Sequence, residues 1–315
     1  MLRRCVACTL LAASAAAADE LRESRDEAWW TGPLLAPSPA TLPQGHALVE
    51  PYLFDVITSA PTAHDLGSLT YMLYGITDRV TAGLIPHFGY NQPSGAPSSS
   101  GVGFGDLTLQ AGYGLTQYQD GGNTPAISLV VQETLPTGRY DRLTSASDGF
   151  GAGAYTTALA VYSQDYFWMP NGRILRGRLD LTYAFSSSVS VQGLSVYGTA
   201  DGFSGRAYPG DAFTADAAGE YSITSNWVLA LDVVYQHNAS TSVSGSVPGS
   251  SAPPAGTTAM AYQSESGSSW SIVLAPAVEY NFSSAVGIIL GVRIIEIGRN
   301  TTSSVTPAVA VNMVF

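Results

Sequence analysis

The chain has 315 residues, 13 basic against 24 acidic side chains, a formal net charge of −11 and only 12% charged residues. Soluble domains carry about a quarter charged residues, and every basic residue here is Arg. With no basic run in the body of the chain, the balance argues against nucleic acid and against a polybasic grip on anionic lipid.

The first element along the chain reads as a secretory signal over residues 1–18. Arg3 and Arg4 precede the apolar run Val6 to Ala13, and Ala16-Ala17-Ala18 offer a small-residue cleavage site before Asp19 and Glu20. The apolar run is too short to remain in a bilayer as a spanning helix. Both cysteines, Cys5 and Cys8, fall within it, so the chain beyond has no thiol for a disulfide, a metal or a nucleophile. No later stretch of ~18 strongly apolar residues occurs, which excludes a helical membrane protein.

Residues 19–45 follow as an extended lead-in on the periplasmic side. Their first part is dense in charge, and Pro33, Pro37, Pro39 and Pro43 forbid a regular helix or a central strand. Trp29-Trp30 is a candidate anchor at the membrane interface.

From His46 to Phe315 the pattern has period 2. Leu179, Leu181, Tyr183 and Phe185 alternate with Arg178, Asp180, Thr182 and Ala184. Trp227, Leu229, Leu231, Val233 and Tyr235 alternate with Val228, Ala230, Asp232, Val234 and Gln236. Nothing of similar strength repeats at helical spacing, so the fold is all-β. Candidate strands are 46–58, 67–77, 79–91, 104–116, 125–136, 152–163, 174–185, 187–198, 211–222, 225–237, 268–282, 284–297 and 303–315. Joins at Thr77-Asp78, Ser186-Ser187, Thr224-Ser225 and Ser283-Ser284 are tight, whereas 92–103, 137–151, 199–210 and 238–267 are long. Short turns at one end and long loops at the other mark an outer-membrane barrel.

Three further features favour a transmembrane antiparallel up-and-down β-barrel over a secreted sandwich. The strands are long enough to cross a bilayer, which takes about 9–11 residues. Trp270 and Tyr280 share a face ten residues apart; a tilt near 45° puts them about 23 Å apart along the membrane normal, close to the apolar band. The apolar faces of the late strands hold almost no charge. Thirteen candidates conflict with an even strand number, so either 46–58 or a strand near 163–173 is misread. Twelve strands are expected, with fourteen as the alternative. The last strand presents Val309, Val311, Met313 and Phe315 on one face, the pattern expected to engage the barrel-assembly machinery.

Three stretches carry a family resemblance: Gly103-Phe104-Gly105-Asp106-Leu107-Thr108-Leu109, Leu135-Pro136-Thr137-Gly138-Arg139-Tyr140-Asp141 and Leu274 through Phe282. A fourth runs from Gly298-Arg299-Asn300-Thr301 through Thr306-Pro307 to Met313-Val314-Phe315. In these the chain resembles the outer-membrane "transporter" family of the MetA pathway of phenol degradation. The resemblance implies a channel in the outer membrane of a Gram-negative bacterium, surrounded by its lipids, for small solutes, aromatic or hydrophobic ones included. It transfers no catalytic residues.

An enzyme is not expected. Gly193 to Gly198 has the wrong spacing for a nucleophile elbow. The glycines of Gly101 to Gly105 lead into a strand, where a phosphate loop needs a helix. Four dispersed histidines and no thiol beyond the signal make a metal site improbable, and no cofactor is implied. The informative residues are polar side chains on inward faces. The candidates for lining the lumen are His87, Asp106, Gln110, Arg176, Arg178, Asp180, Asp216, Glu220, Asp232, Glu279 and Arg293. They read either as a charged lumen that sets selectivity or as a salt-bridge lattice that fills a narrow barrel. If the pore is open, the acidic excess favours cations. A tight turn at 223–225 would set Asp216 opposite Asp232, a costly like-charge pair. Glu133, on the lipid-facing parity, requires a bulge or a place at the aqueous rim. In loop 137–151, Arg139, Asp141 and Arg142 are candidates for a constriction. The leading expectation is a passive channel for small solutes. The competitors are a structural or adhesive barrel without transport and an outer-membrane hydrolase.

Overall fold

The computed structural model describes residues 22–59, 61–119, 124–248 and 259–315; the expected signal segment lies outside them. Among these residues eighteen strands form. The first seven are β1 (Ala47–Ser59), β2 (Thr62–Thr77), β3 (Val80–Ile85), β4 (His87–Gln92), β5 (Gly103–Phe104), β6 (Leu107–Thr116) and β7 (Ala126–Leu135). Next come β8 (Thr156–Trp168), β9 (Ile174–Ser186), β10 (Val189–Gln192), β11 (Ser204–Tyr208), β12 (Ala212–Ser222) and β13 (Trp227–Asn238). The last five are β14 (Ser242–Pro248), β15 (Ala259–Glu265), β16 (Ser269–Asn281), β17 (Val286–Arg299) and β18 (Ser304–Val314).

Fourteen of these strands make one sheet, and β1 pairs antiparallel with both β18 and β2, which closes it. Two positions in the wall are each split. Pro86 interrupts β3 and β4, since a ring nitrogen cannot donate to a ladder. Gly105 and Asp106 interrupt β5 and β6. Counting each split position once leaves a closed barrel of twelve antiparallel strands. Closure matters because an unpaired strand edge in hydrocarbon costs several kcal/mol per group.

The expected alternation is carried through the wall. In β13, Leu229, Leu231 and Val233 are 50%, 45% and 41% exposed, while Val228, Ala230, Asp232 and Val234 between them are buried. The greasy row faces outward, where lipid covers it. Trp227, Tyr280 and Phe282 cluster at the short-turn rim, with ring centroids 4.7 and 4.9 Å apart.

Of the thirteen candidate strands, 187–198 is the misreading, and 46–58 stands as β1. Val189–Gln192 leaves the wall and joins β11, β14 and β15 in a separate four-stranded sheet, order β10-β11-β14-β15. The pair Ser186-Ser187 is therefore the start of a long excursion and not a tight barrel turn. The sheet has its own small core of Val189, Val191, Phe203, Ala207 and Val243, whose alternation imitates a membrane strand. Nor is there an extra strand near 163–173: β8 runs on to Trp168, and Met169 and Arg173 close a short turn through Met169 N–H to Arg173 O, 2.8 Å.

Glu133 lies two residues from the loop end of β7 and accepts from the Thr157 hydroxyl at 2.6 Å. Its lipid-side parity is tolerated because it sits at the rim. Asp216 does not face Asp232. The β12–β13 register places Asp216 opposite Val234 and Asp232 opposite Ala218, and Asp216 meets Asp180 of β9 instead.

The outward row predicts a depth-dependent penalty for charge. Leu231→Arg, near mid-strand, is expected to cost about 2–4 kcal/mol, and Ile297→Arg, near the loop end of β17, about 1 kcal/mol or less. Reversible denaturant unfolding from phospholipid vesicles measures both, and equal costs would contradict the assigned depth.

Candidate functional site

The inward row of β9, β12, β13 and β16 carries the charge. Arg176 and Glu220 are register partners and form a two-pronged ion pair, with Nε to Oε2 at 2.7 Å and Nη2 to Oε1. Arg178 Nε lies 3.3 Å from the same carboxylate. Glu220, Asp232 and Glu279 are fully buried, and Arg176, Arg178, Asp180 and Asp216 nearly so. Charges so placed persist only when paired or hydrogen-bonded.

For Arg176, Arg178, Asp232 and Glu279 further partners come from the lead-in. Residues 22–45 form no helix or strand, with turns at 25–27 and 44–45 and a bend at 34–35, and they run inside the barrel. Glu23 enters beside the short turn at 169–173, accepting from Arg173 Nη1 at 2.7 Å, Ser222 Oγ at 2.8 Å and the Ile174 amide. Further in, Glu279 accepts the amides of Thr31 (2.6 Å) and Gly32 (3.2 Å). Asp232 accepts three more, from Leu34 (3.1 Å), Leu35 (3.3 Å) and Ala36 (2.9 Å). Arg178 Nη1 donates back to the Ala36 carbonyl at 2.7 Å. The segment then descends: Leu42 N–H donates to Thr81 Oγ1 and Gln44 N–H to Asp78 Oδ1. A segment without a neighbouring strand has unpaired amides, and the wall carboxylates satisfy them. Gly32 turns there at φ +129°, which suits only glycine.

The tryptophan pair is not a membrane anchor. Trp30 lies under the Arg176 guanidinium, 4.5 Å from ring centroid to Cζ, and Trp29 N–H donates to Ser225 O. The acidic excess is likewise not a negative lumen surface, because Glu220, Asp232 and Glu279 are spent on arginines and on the inner segment.

Across from this polar wall, a cavity of about 480 Å³ separates the segment from β1, β2 and β18. Its lining is largely apolar and aromatic, including Leu48, Tyr52, Phe54, Leu69 and Tyr71. Tyr52 and Tyr71 meet edge to face at 6.1 Å, and Phe54 stacks on His87 at 6.4 Å. Glu50 reaches the cavity and accepts from Asn312 Nδ2 at 3.1 Å. Gln110 also lines it and accepts from Gln132 Nε2 at 2.7 Å, and Arg293 donates to Gln236 Oε1 at 3.0 Å. The sequence reading overlooked Glu50 and the inner segment. The inward parity of Leu48, Glu50, Tyr52, Phe54 and Val56 was the available signal.

The segment 136–155 covers the loop end. Asp106 accepts from Gly138 N–H at 2.8 Å and Ala152 N–H at 2.7 Å, so it holds this loop. Ser147 O accepts from Ser99 Oγ and Asn91 Nδ2. The Phe150 ring lies on the bare backbone of Gly103, where any Cβ would collide with it. Ser100 donates to Asp148 through both its amide (2.7 Å) and its hydroxyl (2.9 Å), which holds that carboxyl below its ordinary range. Of the expected constriction residues, Asp141 and Arg142 are exposed or partly exposed and bind Gln192 of β10. Arg139 sits in a surface depression with Asp148 and Phe150. The inward-pressing side chain of the loop is Phe150.

Residues 36–262 match the model of the family described as "Putative MetA-pathway of phenol degradation". No curated protein matches the sequence. Among solved structures, the chain is similar to the COG4313 outer membrane channel from Pseudomonas putida F1, at 15% identity and TM-score 0.61, over 89% of this chain and all of that one. It is also similar to the NanC porin, at 9% identity and TM-score 0.47, over 84% of this chain and 98% of that one. The toluene transporter TodX of Pseudomonas putida aligns at 12% identity and TM-score 0.38, over 86% and 90%. At 15% identity, the likeness to the COG4313 channel speaks for the barrel fold alone.

Removing the shared acceptor of the two buried arginines leaves them uncompensated. Glu220→Gln is expected to destabilise the protein by about 3–5 kcal/mol, measured by denaturant unfolding in detergent or vesicles. A loss under about 1 kcal/mol would mean that the pair is solvated.

Proposed function

This chain belongs to the family described as "Putative MetA-pathway of phenol degradation", and from that premise we propose that it is a passive outer-membrane channel for small solutes, aromatic and hydrophobic ones included. The observation that carries this reading is the cavity beside the inner segment, lined by tyrosine, phenylalanine and leucine and large enough for a single-ring molecule. Barrels near eight strands are filled by side chains, while sixteen or more leave a water-filled pore. Twelve strands with an internal segment leave a narrow, one-sided route.

In this reading residues 22–45 are the plug, and the charged row on β9 to β16 serves to hold it. Solute travels along the aromatic wall of β1, β2 and β18. The Phe150 ring and the Phe54–His87 stack narrow the loop end. Phe315, exposed beyond β18, serves as the assembly signal. The small sheet β10-β11-β14-β15 beyond the wall favours a second reading, a barrel that presents an adhesive surface without transport.

Planar-bilayer recording separates the two. The intact protein is expected to show small single-channel steps, and deletion of residues 22–42 to raise the conductance several-fold. A conductance unchanged by the deletion contradicts the plug, and silence from both forms favours the adhesive reading.

A further inference from the structure

Most charges in the lumen have an opposite charge or a row of amides beside them. Arg293 does not. It donates to the neutral Gln236 amide oxygen at 3.0 Å, and among the described residues no carboxylate lies within ion-pair distance of it. Its register partner across β17–β18 is Thr306. Thr306 is 5% exposed, and its hydroxyl has no hydrogen-bond partner. Both residues line the cavity. A permanent cation and an unsatisfied hydroxyl thus stand together on one patch of its wall.

We propose that this patch is an anion-binding subsite and that the cavity takes small aromatic monocarboxylates, with the carboxylate on Arg293 and Thr306. The proposal rests on the channel reading above and names the solute class of that same site.

The guanidinium fork suits a planar carboxylate, which accepts two parallel N–H bonds, and a hydroxyl supplies a third donor. The aromatic lining begins within reach of it. Phe54 pairs with Ala308, two residues along β18 from Thr306 on the same face. That offset is about 7 Å, the length of a benzoate ion. Leu34 and Leu35 of the inner segment supply the opposite side for the ring. The cavity's carboxylate, Glu50, accepts from Asn312 Nδ2 at 3.1 Å, away from the Arg293 patch. Six residues separate Glu50 from Val56 along β1, so the carboxylate also stands about 20 Å from the far end of that strand's cavity lining. The whole chain's net charge of −11 is therefore no guide to preference at this point of the route.

The test is isothermal titration of the full-length protein in detergent with sodium benzoate and with benzamide, its neutral isostere. The intact protein is expected to bind benzoate more tightly than benzamide. Arg293→Met is expected to weaken benzoate about tenfold or more while benzamide changes less than twofold. Arg293→Lys should recover part of the loss, and Thr306→Val should weaken benzoate a few-fold. Benzoate binding that ignores Arg293→Met, or that falls together with benzamide, overturns the subsite. Bilayer conductance that still rises on deletion of residues 22–42 would then leave the channel reading standing. A protein silent in bilayers with and without those residues removes the channel reading, and the assignment of a transported solute goes with it.

Discussion

The interior depends on one exchange: buried carboxylates of the wall hydrogen-bond the backbone amides of a segment that has no strand beside it. Glu279 and Asp232 together accept five amides, from Thr31, Gly32, Leu34, Leu35 and Ala36. A hydrogen bond to a charged acceptor contributes about 1.5–3 kcal/mol, and the penalty for leaving such a group buried and unmet is larger. Each offsets the burial of the other: the segment's amides solvate the wall's acids, and those acids are the amides' acceptors. Arg176 and Arg178 join the two halves, since each touches Glu220 on one side and the segment on the other.

This exchange divides the lumen into unlike halves. The strands from β9 to β16 face inward with charge, and the segment lies against them. The strands β18, β1 and β2 face inward with aromatic and aliphatic side chains, and the free volume lies against those. In a barrel of this girth a central aqueous bore would need an empty middle. Here the middle is occupied, and the passage is displaced to one side. On the proposed channel reading, selectivity follows from the few polar groups on the apolar side and not from the charge of the chain as a whole.

Much of the fold was legible because the side-chain period of a strand is 2 and lipid imposes a strict outward row. Leu229, Leu231 and Val233 can be read as lipid-facing without any coordinates, and so can Arg178 and Asp180 as inward. The misreading at 187–198 has the same physical origin: Val189 and Val191 pack on the small core of the outer sheet, and local alternation cannot tell one apolar neighbour from another. The Asp216–Asp232 expectation failed because turn length sets register, and the β12–β13 turn is two residues longer in register than a tight one. The plug was illegible for a different reason. Its contacts are to amides and carbonyls, which every residue has, and their partners lie some 200 residues away, as with Leu34 and Asp232.

The plug's position also bears on how the molecule is built. It precedes β1, yet its partners reside on strands made long after it, up to Asn281 of β16, which donates to the Trp29 carbonyl. The ladder that joins the ends of the closed sheet is β1 with β18. A segment tethered to β1 and bonded to the opposite side has little room to thread in once that ladder is complete. The segment is thus a tie laid across the interior, joining the first strand to the wall that faces it.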